Sequence, residues 1–360
     1  MIDEISATRG AIVDMFNQYG LDEAAGLFGT SRNSLKIHED YLGCQNIVYD
    51  YHRNHRDLIL RISYGYDRPF EQIMAEVHFI GYLADDGALV SRAVPSVNGN
   101  LVESIQVQDK LFFVVSFIKG KGVRVPDNNY RYREDAPIEE YFQNWGRTLG
   151  KMHALSKDYK PLSSRIRRPT WLNSRPHSLI DNRVPNAFPV VRRNLKGLVE
   201  EASQLPKDRD SYGLIHADFN DGNFTVDYSN GDITVFDFDD ICYNWFMYDL
   251  ACAWEGGVGR TMFETDVEVR KGFMRRYFDV VMAGYNMENK LPNQWLQRLP
   301  FFLKMVEMDS LLEYFRYNNQ GLLGEEDQGR MKYLVYCVKK EIPYLGFFDS
   351  VYSSKRPFVL

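Results

Sequence analysis

The sequence predicts an α+β chain of two lobes, with a small antiparallel sheet up to about residue 118 and a larger, mainly helical part after it. Three observations point there. Apolar and polar residues alternate in short runs between residues 46 and 118, as half-buried strands require. From residue 137 the apolar spacing lengthens to three and four, the helical period. Between these stretches Phe117-Ile118-Lys119-Gly120-Lys121-Gly122 carries two glycines and reads as a linker. A chain of 360 residues is long enough for one such bilobal unit.

Residues 1–24 read as an amphipathic helical arm, with Ile5, Ile12, Met15, Phe16 and Tyr19 on one side and Gly20 as its stop. Residues 25–118 make the first lobe. Within it, 46–51 and 58–62 alternate, and the polar stretch 52–57 joins them as a hairpin. Phe70, Ile73, Met74, Val77 and Ile80 then recur at helical spacing across 70–83, before the stop Asp85-Asp86-Gly87. Two further strands are expected at 101–107 and 111–118. Residues 119–360 make the second lobe, where Phe142, Trp145, Leu149 and Met152 mark a core-facing helix. Five prolines across 161–189 predict a long loop or short helices. Over 299–319, Phe301, Met305, Met308, Leu312 and Phe315 define a helix with Asp309, Glu313 and Arg316 off its apolar stripe.

Lys plus Arg number 43 against 49 Asp plus Glu, a net charge of −6 that argues against a nucleic-acid binder and mildly favours cationic partners. Cys44, Cys242, Cys252 and Cys337 are scattered with no Cys-x-x-Cys pair, so neither zinc nor a disulfide framework is suggested and the cytoplasm fits best. The acidic start and the lack of a long uncharged apolar run predict neither export nor a membrane span. Gly146-x-x-x-Gly150-Lys151 fails as a phosphate loop in spacing and lacks a following Ser or Thr. The basic residues 165–168 and Arg192-Arg193 read as solvated faces.

The informative segment runs from His216-Ala217-Asp218 through Asn223 to Phe236-Asp237-Phe238-Asp239-Asp240. Asn230-Gly231 is a preferred centre for a two-residue hairpin turn, and that turn makes Asn223 and Asp237 meet at the open end of the hairpin. An amide oxygen and a carboxylate held together, beside a second carboxylate at Asp218, form a hard-oxygen site suited to Mg²⁺. Phosphoryl transfer needs this division: one carboxylate for the attacking hydroxyl, and separate oxygen ligands for the metal. The Asp-x-x-x-x-Asn spacing is that of a protein-kinase catalytic loop, without the Phe-Gly that follows the later aspartate there.

These residues, with Tyr248-Asp249-Leu250-Ala251 and the helix segment from Leu149 to Leu155, resemble the aminoglycoside phosphotransferase and choline kinase-like superfamily. The resemblance spans most of the chain and implies a bilobal protein-kinase-like fold. It implies Asp218 as catalytic base, Asn223 and Asp237 as metal ligands, and His216 as a brace for the loop. Asp239 or Asp240 adds to the acidic site. Asp249 reads as a helix N-cap or as a brace of the catalytic loop. The resemblance further implies a phosphate-contacting strand residue paired with a helix glutamate. That position, usually lysine, is Arg61 here, with Glu76 as partner. Ser116, Phe117 and Ile118 take the place of the adenine-contacting linker, and 41–46 that of the nucleotide-covering loop.

The reading that follows is Mg²⁺-dependent transfer of the γ-phosphate of ATP or GTP to a hydroxyl of a small molecule. The acidic balance, with Glu255, Asp309 and Glu313 near the aromatic residues Trp254, Tyr314 and Tyr317, suits an amine-bearing alcohol of aminoglycoside, homoserine or amino-alcohol type. Three other readings stand beside it. They are a protein Ser/Thr kinase of the same fold, a nucleotide-binding regulator with little turnover, and a DNA-binding regulator using 21–36. No nucleic-acid or membrane partner is expected, and a homodimer is left open.

Overall fold

The computed structural model describes residues 2–38, 46–66, 68–261 and 264–342. The chain begins with two helices, α1 (Ile2–Tyr19) and α2 (Leu21–Leu27). Then come β1 (Lys36–Ile37), β2 (Asn46–Arg53), β3 (Arg56–Tyr64), α3 (Phe70–Asp85), β4 (Ala93–Val94), β5 (Glu103–Val107) and β6 (Lys110–Ile118). The strands form one antiparallel sheet in the order β1-β2-β3-β6-β4, with β5 also paired to β6. The β2–β3 hairpin is tighter than its polar stretch suggested: Arg53 pairs with Arg56, and Asn54 and His55 turn the chain at φ 51° and 60°. Two consecutive positive φ angles match the strand twist, so the polar residues flanking the turn stay in the ladder.

Period-two alternation sorts the sheet faces. Tyr49, Tyr51, Leu58, Leu60 and Ile62 are buried together with Phe16 of α1 and with Leu21, Ala24 and Phe28 of the α2 segment. The Phe16 and Phe112 rings sit 4.7 Å apart. Tyr19, expected on the same side, is instead 58% exposed. The other face of β3 carries Arg61 and Ser63, also buried, and with Glu76 of α3 it looks toward the second lobe.

The second lobe holds α4 (Ile138–Ser156), α5 (Trp171–Ser174), α6 (His177–Arg183), α7 (Pro189–Ser203), β7 (Tyr212–Ile215), β8 (Phe224–Val226), β9 (Ile233–Val235) and β10 (Cys242–Trp245). After these come α8 (Phe246–Gly259), α9 (Val267–Glu288), α10 (Asn293–Leu296), α11 (Leu299–Asn319) and α12 (Glu325–Lys340). The proline-rich stretch resolves into the short helices α5 and α6. Helices α4 and α9 meet backbone to backbone: a Cβ on Gly146 would lie 1.8 Å from the Val281 carbonyl, and one on Gly284 1.9 Å from that of Gln143. The Gly146-x-x-x-Gly150 pair is therefore a packing notch. Among the described residues no helix is long and apolar enough to cross a membrane.

The lobes are stitched by backbone hydrogen bonds. Ser91 N–H donates to the Val235 carbonyl at 2.8 Å and Val235 N–H to the Leu89 carbonyl at 3.0 Å; just past the linker, Val123 and Val226 exchange hydrogen bonds of 3.1 and 2.8 Å. The short pair β8–β9 is thus tied to the first lobe, and it and the pair β7–β10 carry the loops described next.

Candidate active site

The loop after β7 takes its shape from Asp249 in the first turn of α8. The fully buried carboxylate accepts from the backbone amides of His216 at 2.9 Å and Ala217 at 2.8 Å. Ala217 has φ 68°, a left-handed conformation that costs an alanine about 1–2 kcal/mol and therefore needs external support. Behind Asp249, His153 Nε2 lies 3.1 Å away, and its Nδ1 lies 2.9 Å from the Tyr285 hydroxyl. Burial lowers the His153 pKa, so a neutral ring donates to Asp249 and accepts from Tyr285. Asp249 thus braces the loop and caps no helix. On the loop's other side His216 Nε2 donates to the Phe236 carbonyl at 3.0 Å, tying it to the strand end before Asp237.

Asp218, two residues after His216, has its side chain exposed. Asn223 Nδ2 donates to its Oδ2 at 2.8 Å, and Asn220 Nδ2 donates to its Oδ1 at 2.9 Å. Dehydration, with the Asp240 charge adding, raises this carboxyl above the ordinary range. At Asn223 the β8–β9 hairpin departs from the expected register by one residue: Phe224 pairs with Val235 and Val226 with Ile233. Asn223 therefore lies opposite Phe236, whose amide donates to its carbonyl at 2.9 Å, and Asp237 is one residue further on. The cause is a side chain. Asp227 Oδ1 accepts from the Ser229 amide and hydroxyl at 3.0 and 2.7 Å, building a helical turn that Gly231 closes at φ 82°. The two-residue turn would need a positive φ at Asn230 as well.

Asp237 opens onto the cleft between the lobes, in a left-handed conformation at φ 59° and ψ 61°. Its carboxyl is pushed up to about 7, chiefly by burial and then by the neighbouring charges of Asp239 and Asp218. Asp240 is raised by burial as well. Asp239 is opposite in character: burial would raise it, but Arg61 and Arg68 outweigh that and hold it low. Arg61 forks onto Glu76 at 2.7 and 2.9 Å and reaches Asp239 Oδ1 at 2.7 Å. Its Nε–H is buried with no hydrogen-bond partner.

Arg61, Glu76, Ile80, Phe117 and Asp237 help line a cleft of about 490 Å³ between the lobes, a size suited to a small organic ligand. Phe117 sits against the Arg61 guanidinium, 5.0 Å from ring centre to Cζ. Ser116 turns the other way, its hydroxyl 2.7 Å from that of Tyr51. The Ile118 amide and carbonyl are already used by Arg92 and Ser91. Residues 41–45 of the expected nucleotide-covering loop lie outside the described residues. Among the described residues no three His, Cys, Asp or Glu side chains form a self-contained metal cage. Asp237 and Asp218 nonetheless concentrate uncompensated negative charge next to the Asn223 amide, a donor set that fits a divalent cation whose remaining ligands are phosphate oxygens.

Of the residues expected to meet an acceptor, Glu255 lies on α8 near enough to Asp218 to feel its charge. Its pKa is pushed up to about 7 by burial and then by Asp218, with Arg330 opposing. Trp254 is buried edge-on against Phe278. Asp309 is consumed internally by the Trp171 indole at 2.8 Å, the Tyr248 hydroxyl at 2.6 Å and Arg175. Glu313 pairs with Arg183 and Arg316, and Tyr317 lines the cleft beneath Arg316. The structure also brings in residues the sequence did not single out. Asn46 and Arg68 bond Asp239, and Arg168, expected on a solvated face, is 6% exposed and bonded to the Ile241 carbonyl. Arg68 and Arg168 lie 171 and 71 positions from Asp239, and no local pattern marks such pairs.

Comparison with known proteins agrees with this arrangement. Residues 43–287 match the model of the phosphotransferase enzyme family. Amicoumacin kinase of Bacillus subtilis (strain 168) is 31% identical over 312 residues, covering 86% of this chain and 88% of that protein. The structure of amicoumacin kinase hAmiN in complex with AMP-PNP, Ca²⁺ and Ami superposes with a TM-score of 0.80 at 26% identity, over 94% of this chain and 98% of that one. A microcompartment-associated aminopropanol kinase shares the fold with a TM-score of 0.67 at 23% identity, over 91% and 95% of the two chains. The protein-kinase-like bilobal fold and the match over most of the chain lead to one conclusion: the chain belongs to the phosphotransferase enzyme family and is a small-molecule kinase.

Proposed function

We propose that the protein transfers the γ-phosphate of ATP or GTP, with Mg²⁺, to a hydroxyl of a small amine-bearing molecule. The observation that carries this is the meeting of Asp218 and Asn223, hydrogen-bonded at 2.8 Å, near Asp237, which lines a cleft that also holds Arg61, paired with Glu76 and with an unused buried N–H. Asp218 orients the acceptor hydroxyl and takes its proton as the oxygen attacks phosphorus. Its raised pKa brings it nearer to the operating pH, as a general base requires. Asn223 and Asp237 hold the metal, which neutralises charge on the phosphates. Arg61 faces the phosphates, Phe117 packs on the base, and His216 and Asp249 keep the loop in place. Glu255, a half-buried carboxylate near enough to Asp218 to feel its charge, suits an ammonium group on the acceptor. The 31% identical relative is named for a substrate, amicoumacin, and that compound and simple amino alcohols head the acceptors to try.

The test is to incubate wild type and Asp218→Asn with Mg²⁺, γ-labelled ATP or GTP, and pools of amicoumacin, amino alcohols, aminoglycosides, amino acids and sugars. Label in an amine-bearing small molecule, lost in the variant, is the expected result. Label found only on polypeptide overturns the acceptor class.

A further inference from the structure

Three arginines from separate parts of the chain converge on the turn that follows Asp237. Arg61 of β3 gives Nη1 to Asp239 Oδ1 at 2.7 Å while the same guanidinium holds Glu76. Arg68, between β3 and α3, reaches Asp239 Oδ1 at 2.8 Å and also donates to its carbonyl oxygen. Arg168 donates to the carbonyls of Asp239 and, at 2.8 Å, Ile241. Asn46 of β2 adds an amide donor to Asp239 Oδ2. Asp239 is 7% exposed, so these contacts form with little water to compete.

We propose that Asp239 is a positioning residue for phosphoryl transfer: one buried carboxylate both fixes the left-handed turn at Asp237 and withholds part of the Arg61 charge from the phosphates. The inference rests on the roles given above to Asp237 and Arg61. An aspartate in the left-handed region persists only where its surroundings over-determine it. Asp237 is pinned on one side by His216 on the Phe236 carbonyl and on the other by the arginines around Asp239. The same carboxylate makes Arg61 a cation shared between two anions, so an arriving polyphosphate meets a guanidinium already partly neutralised. Asp239 thereby opposes nucleotide binding and favours turnover. A purely structural residue would support both.

That difference in sign is the test. Asp239→Asn keeps the shape and removes the charge. ATP affinity is measured by calorimetry in EDTA, and kcat from ADP release with Mg²⁺ and the acceptor found for wild type in the pools above. The expected result is ATP binding about fivefold tighter without metal together with a kcat about tenfold lower. Weaker or unchanged ATP binding in EDTA, or a kcat within about twofold of wild type, overturns the proposal. If Asp239→Asn does not fold, Asn46→Ala serves: it removes one neutral donor from the same carboxylate. A lower kcat with unchanged metal-free ATP affinity then supports the proposal, and a kcat equal to wild type overturns it. A wild type that neither binds ATP nor turns over would instead remove the functional reading on which the inference rests.

Discussion

Asp249 Oδ1 accepts the amide of Ala217 at 2.8 Å, and Ala217 is held at φ 68°. The helix that supplies the carboxylate therefore dictates the conformation of the residue immediately before Asp218. Asp249→Ala leaves two buried amides and the His153 ring without their acceptor. The expected cost is about 3–5 kcal/mol in urea unfolding. Activity measured on the fraction that remains folded falls as well, because the loop loses its template.

Arg61→Lys replaces a planar fork by a point charge. Lysine cannot make the two-point contact with Glu76 and reach Asp239 at once. Steady-state kinetics should show the KM for nucleotide raised about tenfold, with a smaller change in kcat.

Glu255 gives a pH dependence of known sign. Its carboxyl is pushed up to about 7 in the folded protein, against 4.5 for a free glutamate, so the folded protein holds this proton more tightly than the unfolded chain. Ionisation is thus opposed by folding, and the Glu255 contribution to stability declines as pH rises from 4.5 to about 7. Glu255→Gln should raise Tm at about pH 8 and leave it unchanged near pH 4. In wild type, kcat/KM for an amine-bearing acceptor should fall as the pH drops through about 7, because the protonated carboxyl no longer attracts an ammonium. In the variant it should be low throughout.

Gly284→Ala tests the contact between α4 and α9. The added methyl would lie 1.9 Å from the Gln143 carbonyl, between two backbones that cannot yield as a flexible side chain can. A loss of about 3 kcal/mol is expected, read as a fall in Tm of about 4 °C.

Local pattern alone determined the division into two lobes, the strands around 46–62 and 101–118, the helices over 70–83 and 299–319, and the Asp218-to-Asn223 loop. Period and turn chemistry act between neighbours, so they are legible in sequence. The Arg61–Glu76 pair is what the family resemblance implies, and the packed sheet and α3 bring the two side chains together. Only tertiary structure decided the rest. The β8–β9 register depended on the Asp227 side chain capturing Ser229, which overrode the turn preference of Asn230-Gly231. Asp309 became an internal brace because Trp171, Arg175 and Tyr248 arrive from distant segments to consume its oxygens. The resemblance adds Asp239 or Asp240 to the acidic site, and Asp239 stands among arginines brought from 61, 68 and 168, whose proximity only the packed lobes create. Charge pairing across a fold depends on distance in space, and the order of residues along the chain does not encode it.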